Sequence, residues 1–304
     1  MAQRAKLIFN PHANRGRAWY IGPVLQAIVS RHPDAEWGAT EFPSHAVQLA
    51  EQAAEQGFGV VAAIGGDGTV HEVVNGLMRI PAERRPAMAI VPVGSGNDFA
   101  SSLGISPDLE ISMERVFEGE ERWIDIGRLT DNTGHVEYWD NAVGIGFDAT
   151  VTYLTYQITR LKGFSMYLWA VIETILRHND SARMTIRTDQ ESLDLEALMM
   201  VACNGPREGG GFRVAPQADP GDGILDYAMI ERVSRLMMFR LLPEVMNGTH
   251  ARFKPVRIGR FQTMDIHLSR PLPIHTDGEM FAGFQSEIRD LHLELLPRAL
   301  RLIV

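Results

Sequence analysis

The first third of the chain alternates short apolar runs with segments of helical period. The runs KLIFNP, EWGATEF, FGVVAAIG and AMAIVPVG predict four buried strands. The intervening segments predict helices that contain AWYIGPVLQAIVSRH, HAVQLAEQAAEQG (with Ser44 as N-cap), VHEVVNGLMRI and DFASSLGI. Strands that alternate with helices and are apolar on both faces form parallel sheets covered on both sides. This part therefore predicts an α/β domain.

The pattern changes near Trp123, where strands follow one another with few helices between them. Two helical segments interrupt the series, Thr152 to His178 and Ser234 to Asn247, the second with Ser234 as a candidate cap. The predicted strands contain WIDIGRLT, VEYWDNAVGIGF, ARMTIRTD, LEALMMVACN, GILDYAMIER, FQTMDIHLS and LPIHTDG. Such a series is typical of an antiparallel, mostly β domain.

The change of pattern places a domain boundary between Gly119 and Arg122. We expect a first domain at residues 1–121, a second at 122–290 and a C-terminal segment at 291–304. That segment, LHLELLPRALRLIV, is apolar enough to return to the first domain. With 304 residues, two domains are also the natural expectation from length.

Composition narrows the class of protein. The chain is 45% hydrophobic and 22% charged, as in ordinary globular proteins, and its net charge of −9 argues against a nucleic-acid binder. The single cysteine, Cys203, lies in an apolar run and reads as a buried structural thiol, which fits a cytoplasmic protein. Neither a signal peptide nor a membrane span is predicted, so any membrane contact should be peripheral.

Glycine-rich turns follow three of the predicted parallel strands, where α/β proteins bind ligands. GGDGT contributes Gly65, Gly66, Asp67 and Gly68; PVGSGNDF contributes Gly94, Ser95, Gly96, Asn97 and Asp98; NPHANRG contributes Asn10, Asn14 and Gly16. Glycines let backbone N–H groups approach anionic oxygen, so these turns could surround a nucleotide. Neither a P-loop motif nor a G-x-G-x-x-G fingerprint is present.

Asp67 is unexpected in a turn that would hold phosphate, because a carboxylate repels polyphosphate unless a cation lies between them. It therefore suggests Mg²⁺. The alternative is that Asp67 caps a helix beginning at Thr69, and the two roles are compatible.

The ordered motifs resemble the diacylglycerol kinase catalytic-domain family. The resemblance is to its soluble bacterial lipid kinases and, more distantly, to sphingosine and ceramide kinases. It begins at NPHANRGRA and continues through GGDGTVHEVVNGL, PVGSGNDFASSLGI, WIDIG, DNAVGIGFDA, NGPREGGGFRVAPQADPGDGILD and HTDGE. It implies an NAD-kinase/phosphofructokinase-like α/β domain with a parallel sheet, followed by a mostly antiparallel β-sandwich domain.

The resemblance also implies site residues. ATP would contact Asn10, Pro11, His12, Ala13, Asn14, Thr40, Gly66, Asp67, Gly68, Thr69, Val70, His71, Glu72 and Ser95, with Asn97 and Asp98 on the same turn. Asp277 and Glu279 would be the catalytic carboxylates beside Asp67, on one face of a strand, with Glu279 favoured as the proton acceptor. Without the resemblance, TDGE reads as a hairpin turn. Structural Mg²⁺ would bind Asp222 and groups near Asp219 and Ile224; a simple turn there is an equal alternative.

These implications predict an ATP- and Mg²⁺-dependent lipid kinase, with diacylglycerol as the favoured acceptor and peripheral contact at the inner membrane surface. The helical segment Tyr153 to Leu176 is a candidate for lipid capture. An NAD kinase and a regulator that has lost catalysis remain alternatives. The sequence does not identify the lipid, and it leaves a homodimer open.

Overall fold

A computed structural model describes residues 4–158, 160–161, 163–178 and 180–304. Its residues form two compact units, one of residues up to Ile124 together with Arg298–Val304, the other of Asp125–Pro297. None of the helices within the described ranges has the length and apolar character needed to cross a membrane.

The first unit contains a parallel sheet in the order β4-β3-β1-β2. Ala5 on β1 pairs with Ala35 of β2 and Val60 of β3, and Val60 also pairs with Ala87 of β4. At the far edge, Leu302 pairs in parallel with Met88. The strands are β1 (Ala5–Phe9), β2 (Ala35–Ala39), β3 (Val60–Gly65) and β4 (Ala87–Pro92). The strands β3 and β4 are buried at every position, which explains their continuous apolar runs.

Helices cover this sheet, and their starts correct one prediction. They are α1 (Gly22–Val29), α2 (His45–Glu55), α3 (Asp67–Met78), α4 (Asp98–Ser102) and α5 (Leu109–Glu118). The prediction that Ser44 caps α2 is wrong, since Ser44 is left-handed (φ 63°) and its side chain makes no capping bond. Instead, Glu72 of α3 accepts the N–H groups of Ser44 (2.9 Å) and Ala46 (3.0 Å).

The second unit is built from antiparallel strands. Its main path runs β14-β13-β7-β9-β8-β12-β15, while β10 joins β9 to β11, and β5 pairs with β6. The strands of this series are β5 (Glu121–Asp131), β6 (Val136–Trp139), β7 (Ala142–Gly146), β8 (Ala182–Thr188), β9 (Ser192–Cys203), β10 (Leu225–Glu231), β11 (Val256–Phe261), β12 (Thr263–Leu268), β13 (Ile274–Thr276), β14 (Glu279–Ala282) and β15 (Asp290–Ile303). Large buried side chains, including Trp139, Tyr227 and Phe261, fill the core between them.

Three helices belong to the second unit: α6 (Phe147–Thr155), α7 (Gly163–Arg177) and α8 (Arg235–Asn247). The predicted segment Thr152 to His178 thus contains two helices rather than one, and its residues Thr159 and Lys162 lie outside the described residues. The predicted cap of α8 is confirmed, because the Ser234 hydroxyl accepts the Met237 N–H at 3.3 Å. The fold class predicted from the sequence is confirmed: parallel strands come first and antiparallel strands follow.

Candidate active site

The turns after β3 and β4 lie against each other because both contain glycine. A Cβ on Gly94 would collide with the Cα of Gly66. Asn97, in the left-handed region at φ 56°, holds the second turn: its Oδ1 accepts the Gly94 N–H (3.0 Å) and its Nδ2 donates to the Gly94 carbonyl (3.1 Å). The two glycine turns therefore form one continuous backbone surface at the carboxyl edge of the sheet.

Asp67 joins the same two turns. Its Oδ2 accepts the backbone N–H of Asn97 at 2.7 Å, and a Cβ on Gly96 would lie only 2.9 Å from that oxygen. The alternative in which Asp67 caps a helix from Thr69 is wrong, because α3 begins at Asp67 itself and Gly66 is the N-cap. Asp98 opens α4 in the same way and is buried. This edge therefore presents helix N-termini with a carboxylate in each first turn.

The loop after β1 reaches the same edge. The Asn10 amide donates to the Thr69 hydroxyl at 3.0 Å, and the Asn10 Oδ1 accepts the His12 N–H at 2.9 Å. Asn14 is left-handed, with φ 51°. Thr40, just beyond β2, donates its backbone N–H to the Phe9 carbonyl at 2.8 Å. The structure thus brings together predicted residues from four strand ends.

Other predicted nucleotide residues have side chains engaged elsewhere. Glu72 caps α2, as described above. His71 is buried, and its Nε2 lies 3.3 Å from the Nδ2 of Asn75. The Val70 side chain is also buried, whereas Ser95 is exposed on its turn. Of this group, the hydroxyl of Ser95 is the side-chain group displayed to solvent.

Asp277 and Gly278 form a two-residue turn between β13 and β14, with φ 50° and 84°. The expectation of one strand carrying Asp277 and Glu279 on one face is therefore wrong. Two successive residues of positive φ reverse the chain, as in the tight hairpin turns that glycine favours. The side chains then diverge, since Asp277 is buried and Glu279 is exposed.

Three backbone amides hold the Asp277 carboxylate. Its Oδ1 accepts the N–H groups of Asn141 (2.8 Å) and Ala142 (2.9 Å), and its Oδ2 accepts that of Asp140 (3.0 Å). Its own N–H donates to the Ala142 carbonyl at 2.8 Å. Hydrogen bonds from several amides favour the charged form of a carboxylate and fix its orientation. Asp277 consequently ties its turn to the β6–β7 connection.

Glu279 has a partner that the sequence did not indicate. The hydroxyl of Tyr156, which follows α6, lies 2.9 Å from Glu279 Oε2 and 2.9 Å from the Gly278 carbonyl. Desolvation and the Glu279 charge raise the pKa of Tyr156 well above its ordinary value, although 55% of the residue's surface is exposed. No periodicity could reveal this contact, because Tyr156 and Glu279 are 123 positions apart.

A second group of acids lies at the predicted structural Mg²⁺ position. Burial, together with the nearby carboxylates of Asp219 and Asp125, raises the pKa of Asp222. Burial and Asp222 likewise raise the pKa of Asp226, although Arg260 opposes this. In the described residues, Asp226 Oδ2 is buried without a hydrogen-bond partner. Crowded oxygen donors of this kind fit a hard divalent cation, which would relieve their repulsion.

Comparison with known proteins assigns the chain to a family. A profile described as "Diacylglycerol kinase catalytic domain" matches residues 4–129. A second, described as "YegS C-terminal NAD kinase beta sandwich-like domain", matches residues 141–304. The chain belongs to the YegS-type diacylglycerol kinase family. Its GGDGT and GSGNDF turns lie in the first match, and its TDGE turn lies in the second.

Relatives of this diacylglycerol kinase family member extend over most of its length. It is 27% identical to a diacylglycerol kinase of Bacillus subtilis, over 95% of this chain and 94% of that protein. It is 31% identical to "Probable lipid kinase YegS-like" of Chromohalobacter salexigens, over 77% and 73% of the two chains. A crystal structure of a diacylglycerol kinase from Bacillus anthracis has the same fold, with a TM-score of 0.73 at 21% identity, over 99% of this chain and 97% of that one.

Proposed function

We propose that this protein is an ATP-dependent lipid kinase that phosphorylates a lipid hydroxyl, with diacylglycerol as substrate and phosphatidate as product. The proposal depends mainly on the two adjacent glycine turns, which Asp67 joins by accepting the backbone N–H of Asn97. Backbone N–H groups and helix N-termini at such an edge suit a triphosphate. The relatives' names support a lipid acceptor.

Glu279 is the proposed proton acceptor. As the lipid oxygen forms its bond to the γ-phosphorus, the bond from that phosphorus to the β–γ bridging oxygen breaks and ADP leaves. The hydroxyl proton passes to the Glu279 carboxylate. Glu279 is exposed, whereas the oxygens of Asp277 already accept three amides, so Glu279 is the better placed of the two acids.

Magnesium is the proposed metal in two places. Asp67 would hold the ion that accompanies ATP, and Asp219, Asp222 and the Ile224 carbonyl would hold a structural ion. Bound Mg²⁺ supplies neutralisation of phosphate charge. The raised pKa of Asp222, caused by burial and by the carboxylates around it, supports the second position.

We also propose that an aromatic patch meets the membrane surface. The patch consists of exposed large hydrophobic residues of α6 and its C-cap, of α7 and of the segment after β14: Tyr153, Tyr156, Trp169, Leu176 and Phe284. The rings of Tyr153 and Phe284 pack edge to face at 5.1 Å. Residues 149–172 include Arg160 and Lys162 but no Asp or Glu, so this segment favours an anionic surface.

Vesicle flotation tests the aromatic patch. A variant with Trp169→Ala, together with Leu168→Ala at its half-buried neighbour on α7, should bind phosphatidylglycerol vesicles several-fold more weakly than wild type, because apolar area buried in the interface drives binding. Trp19→Ala is a matched control, since Trp19 is an exposed tryptophan of the first unit. Equal binding by the double variant would count against the patch.

A substrate panel tests the function itself. With labelled ATP and Mg²⁺, thin-layer chromatography should show label on diacylglycerol in preference to sphingosine, ceramide or NAD. The nearest alternative is an NAD kinase, which would label NAD alone. A regulator that has lost catalysis would label nothing while still binding ATP, and either outcome would overturn the proposal.

A further inference from the structure

The turn that presents Glu279 is held by groups at both ends of α6, one of them acting through His275. At the end of that helix, Tyr156 reaches Glu279 Oε2 and the Gly278 carbonyl, both at 2.9 Å. Near its start, Asp148 Oδ2 lies 2.6 Å from Nε2 of His275, whose Nδ1 lies 3.2 Å from the Gly278 amide nitrogen. The residue that follows α6 therefore contacts the turn directly, while Asp148 at the start of α6 contacts it through His275.

The hydrogen bonds of His275 assign its proton. The Gly278 amide can only donate, so Nδ1 accepts, and Nε2 carries the proton that it donates to Asp148. Glu208 Oε1 is 3.8 Å from the same Nε2, so His275, Asp148 and Glu208 could be read as a metal triad. A protonated Nε2 is not a metal ligand, so the hydrogen bonds fit a structural role instead. We call the pair of Asp148 and His275, which supports the Gly278 amide, the clamp.

Glycine at position 144 of β7 leaves the space that the side chains of Asp148 and His275 occupy. A Cβ on Gly144 of β7 would collide with Asp148 Oδ2 and with His275 Nε2. The His275 side chain is only 2% exposed, so water competes little for its hydrogen bonds. The turn formed by Asp277 and Gly278 is thus supported by a buried histidine that packs closely against β7.

Tyr156 differs from the clamp because it contacts the reacting acid itself. Its single proton lies between two acceptors at equal distance, the Glu279 carboxylate and the Gly278 carbonyl. When Glu279 is charged, the hydroxyl donates to it; once Glu279 has taken up a proton, the hydroxyl can donate to the carbonyl. The Tyr156 hydroxyl therefore keeps an acceptor in both protonation states of Glu279.

Resting on the proposed role of Glu279, we propose that Tyr156 is a positioning residue that fixes the Glu279 side chain and stabilises its charged form. Other titratable groups surround this pair within the second unit. In the described residues they include Tyr167, which acts on Tyr156, and His275, Asp148 and Glu208 behind the turn. The Tyr156 hydroxyl donates directly to a Glu279 oxygen, over 2.9 Å.

The test is Tyr156→Phe, which keeps the ring and removes the hydroxyl. We expect kcat to fall about 10-fold, with KM for ATP within about 2-fold of wild type, because orientation of the base is lost and nucleotide binding is not. The acid limb of the kcat–pH profile should move to higher pH, since a hydrogen bond that favours the carboxylate has gone. A wild-type kcat and an unmoved acid limb would overturn the inference.

Tyr227→Phe is the matched control. It also removes a tyrosine–glutamate hydrogen bond, from Tyr227 to Glu191 at 2.5 Å, but Tyr227 is a core residue of β10 and Glu191 is an exposed residue just before β9. We expect a lower melting temperature and an unmoved acid limb. A shift equal to that of Tyr156→Phe would mean that general destabilisation causes both.

A double-mutant cycle separates this inference from the proposed function. If Tyr156 acts through Glu279, Tyr156→Phe should change kcat less than 2-fold in a Glu279→Gln background. A 10-fold loss persisting in that background would show a purely structural role. Full activity of Glu279→Gln alone would instead refute the role of Glu279 itself.

Discussion

Asp277 and Glu279 are two positions apart, and their surroundings differ in what they allow each carboxylate to do. Asp277 is buried and accepts three amides, while Glu279 is exposed beside one hydroxyl. A carboxylate whose lone pairs are occupied by amides is a poor proton acceptor. The resemblance to lipid kinases points to both acids, but the hydrogen bonds separate an anchor from a candidate base.

Asp277→Asn tests the anchor. The amide has one oxygen where the carboxylate has two, so an NH₂ group would face a backbone N–H. We expect the free energy of unfolding to fall by about 2–3 kcal/mol in urea denaturation. Asp180→Asn, at a side chain that is 70% exposed, should change it by less than about 0.5 kcal/mol. Similar values for the two variants would contradict the anchor role.

Gly94→Ala tests the contact between the glycine turns. Because the added Cβ would collide with Gly66, the turns must separate, and we expect affinity for an ATP analogue to fall about 10-fold or more in calorimetry. Gly22→Ala is the control: its new Cβ would lie 3.5 Å from the Phe9 ring, an ordinary van der Waals distance, so affinity for the ATP analogue should not change. Unchanged binding by Gly94→Ala would show that the turns do not carry the nucleotide.

His250 gives the second unit a pH dependence. It is buried, its Nε2 lies 3.0 Å from the Val214 carbonyl, and burial lowers its pKa below the ordinary 6.5. Below pH about 6.5 the unfolded chain gains a proton that the folded chain does not, so stability should fall as pH drops. The loss continues until pH reaches the lowered folded-state pKa.

The measurement compares wild type with His250→Asn in urea denaturation at pH 8 and pH 5.5. We expect the wild type to lose about 1 kcal/mol more than the variant over this interval, because groups common to both cancel. His267→Asn, at a side chain that is 58% exposed, should behave as wild type. Equal losses in wild type and His250→Asn would remove His250 as the cause.

At the scale of elements, a side chain of α3 caps the start of a different helix, α2. Glu72 accepts two N–H groups at the start of α2, where Ser44 offers no side-chain cap. The sequence predicted a serine cap because serine before a helix is the usual pattern. A cap supplied from 28 positions away follows from packing between helices, which no local pattern contains.

Glu72→Ala should therefore lower the free energy of unfolding by about 1 kcal/mol, the usual cost of losing a cap. Glu55→Ala, at the exposed last residue of α2, is the control and should have little effect. Denaturant unfolding and ATP titration of the same variants separate a role of Glu72 in capping α2 from a role in binding ATP. A large loss of ATP affinity with unchanged stability would favour nucleotide contact instead.

Elements were predictable where their pattern is local. All four strands of the parallel sheet were found, because buried parallel strands read as apolar runs. The helix α5, the strands β11 and β14 and the strand nature of β15 were not predicted. The strand β14 has four residues, and β15 was read only as an apolar segment, since its pairing with β12 and β4 is non-local.

At the scale of the whole molecule, the motifs located the candidate site better than they described its geometry. GGDGT and GSGNDF do meet, as neighbouring parallel strands require. The turn at Asp277 and the partner of Glu279 depended on backbone conformation and on a contact across 123 positions. Residue types and strand ends were therefore predictable from the sequence, whereas hydrogen-bond partners were not, because they depend on packing between distant segments.

The central claim assigns nucleotide binding to the glycine turns and proton transfer to Glu279. Rapid-quench measurement of labelled phosphatidate on diacylglycerol vesicles, with ATP affinity determined in parallel, tests it most directly. Glu279→Gln should bind ATP within about 3-fold of wild type and form product at least about 10²-fold more slowly. Product formation at the wild-type rate by that variant would contradict the account.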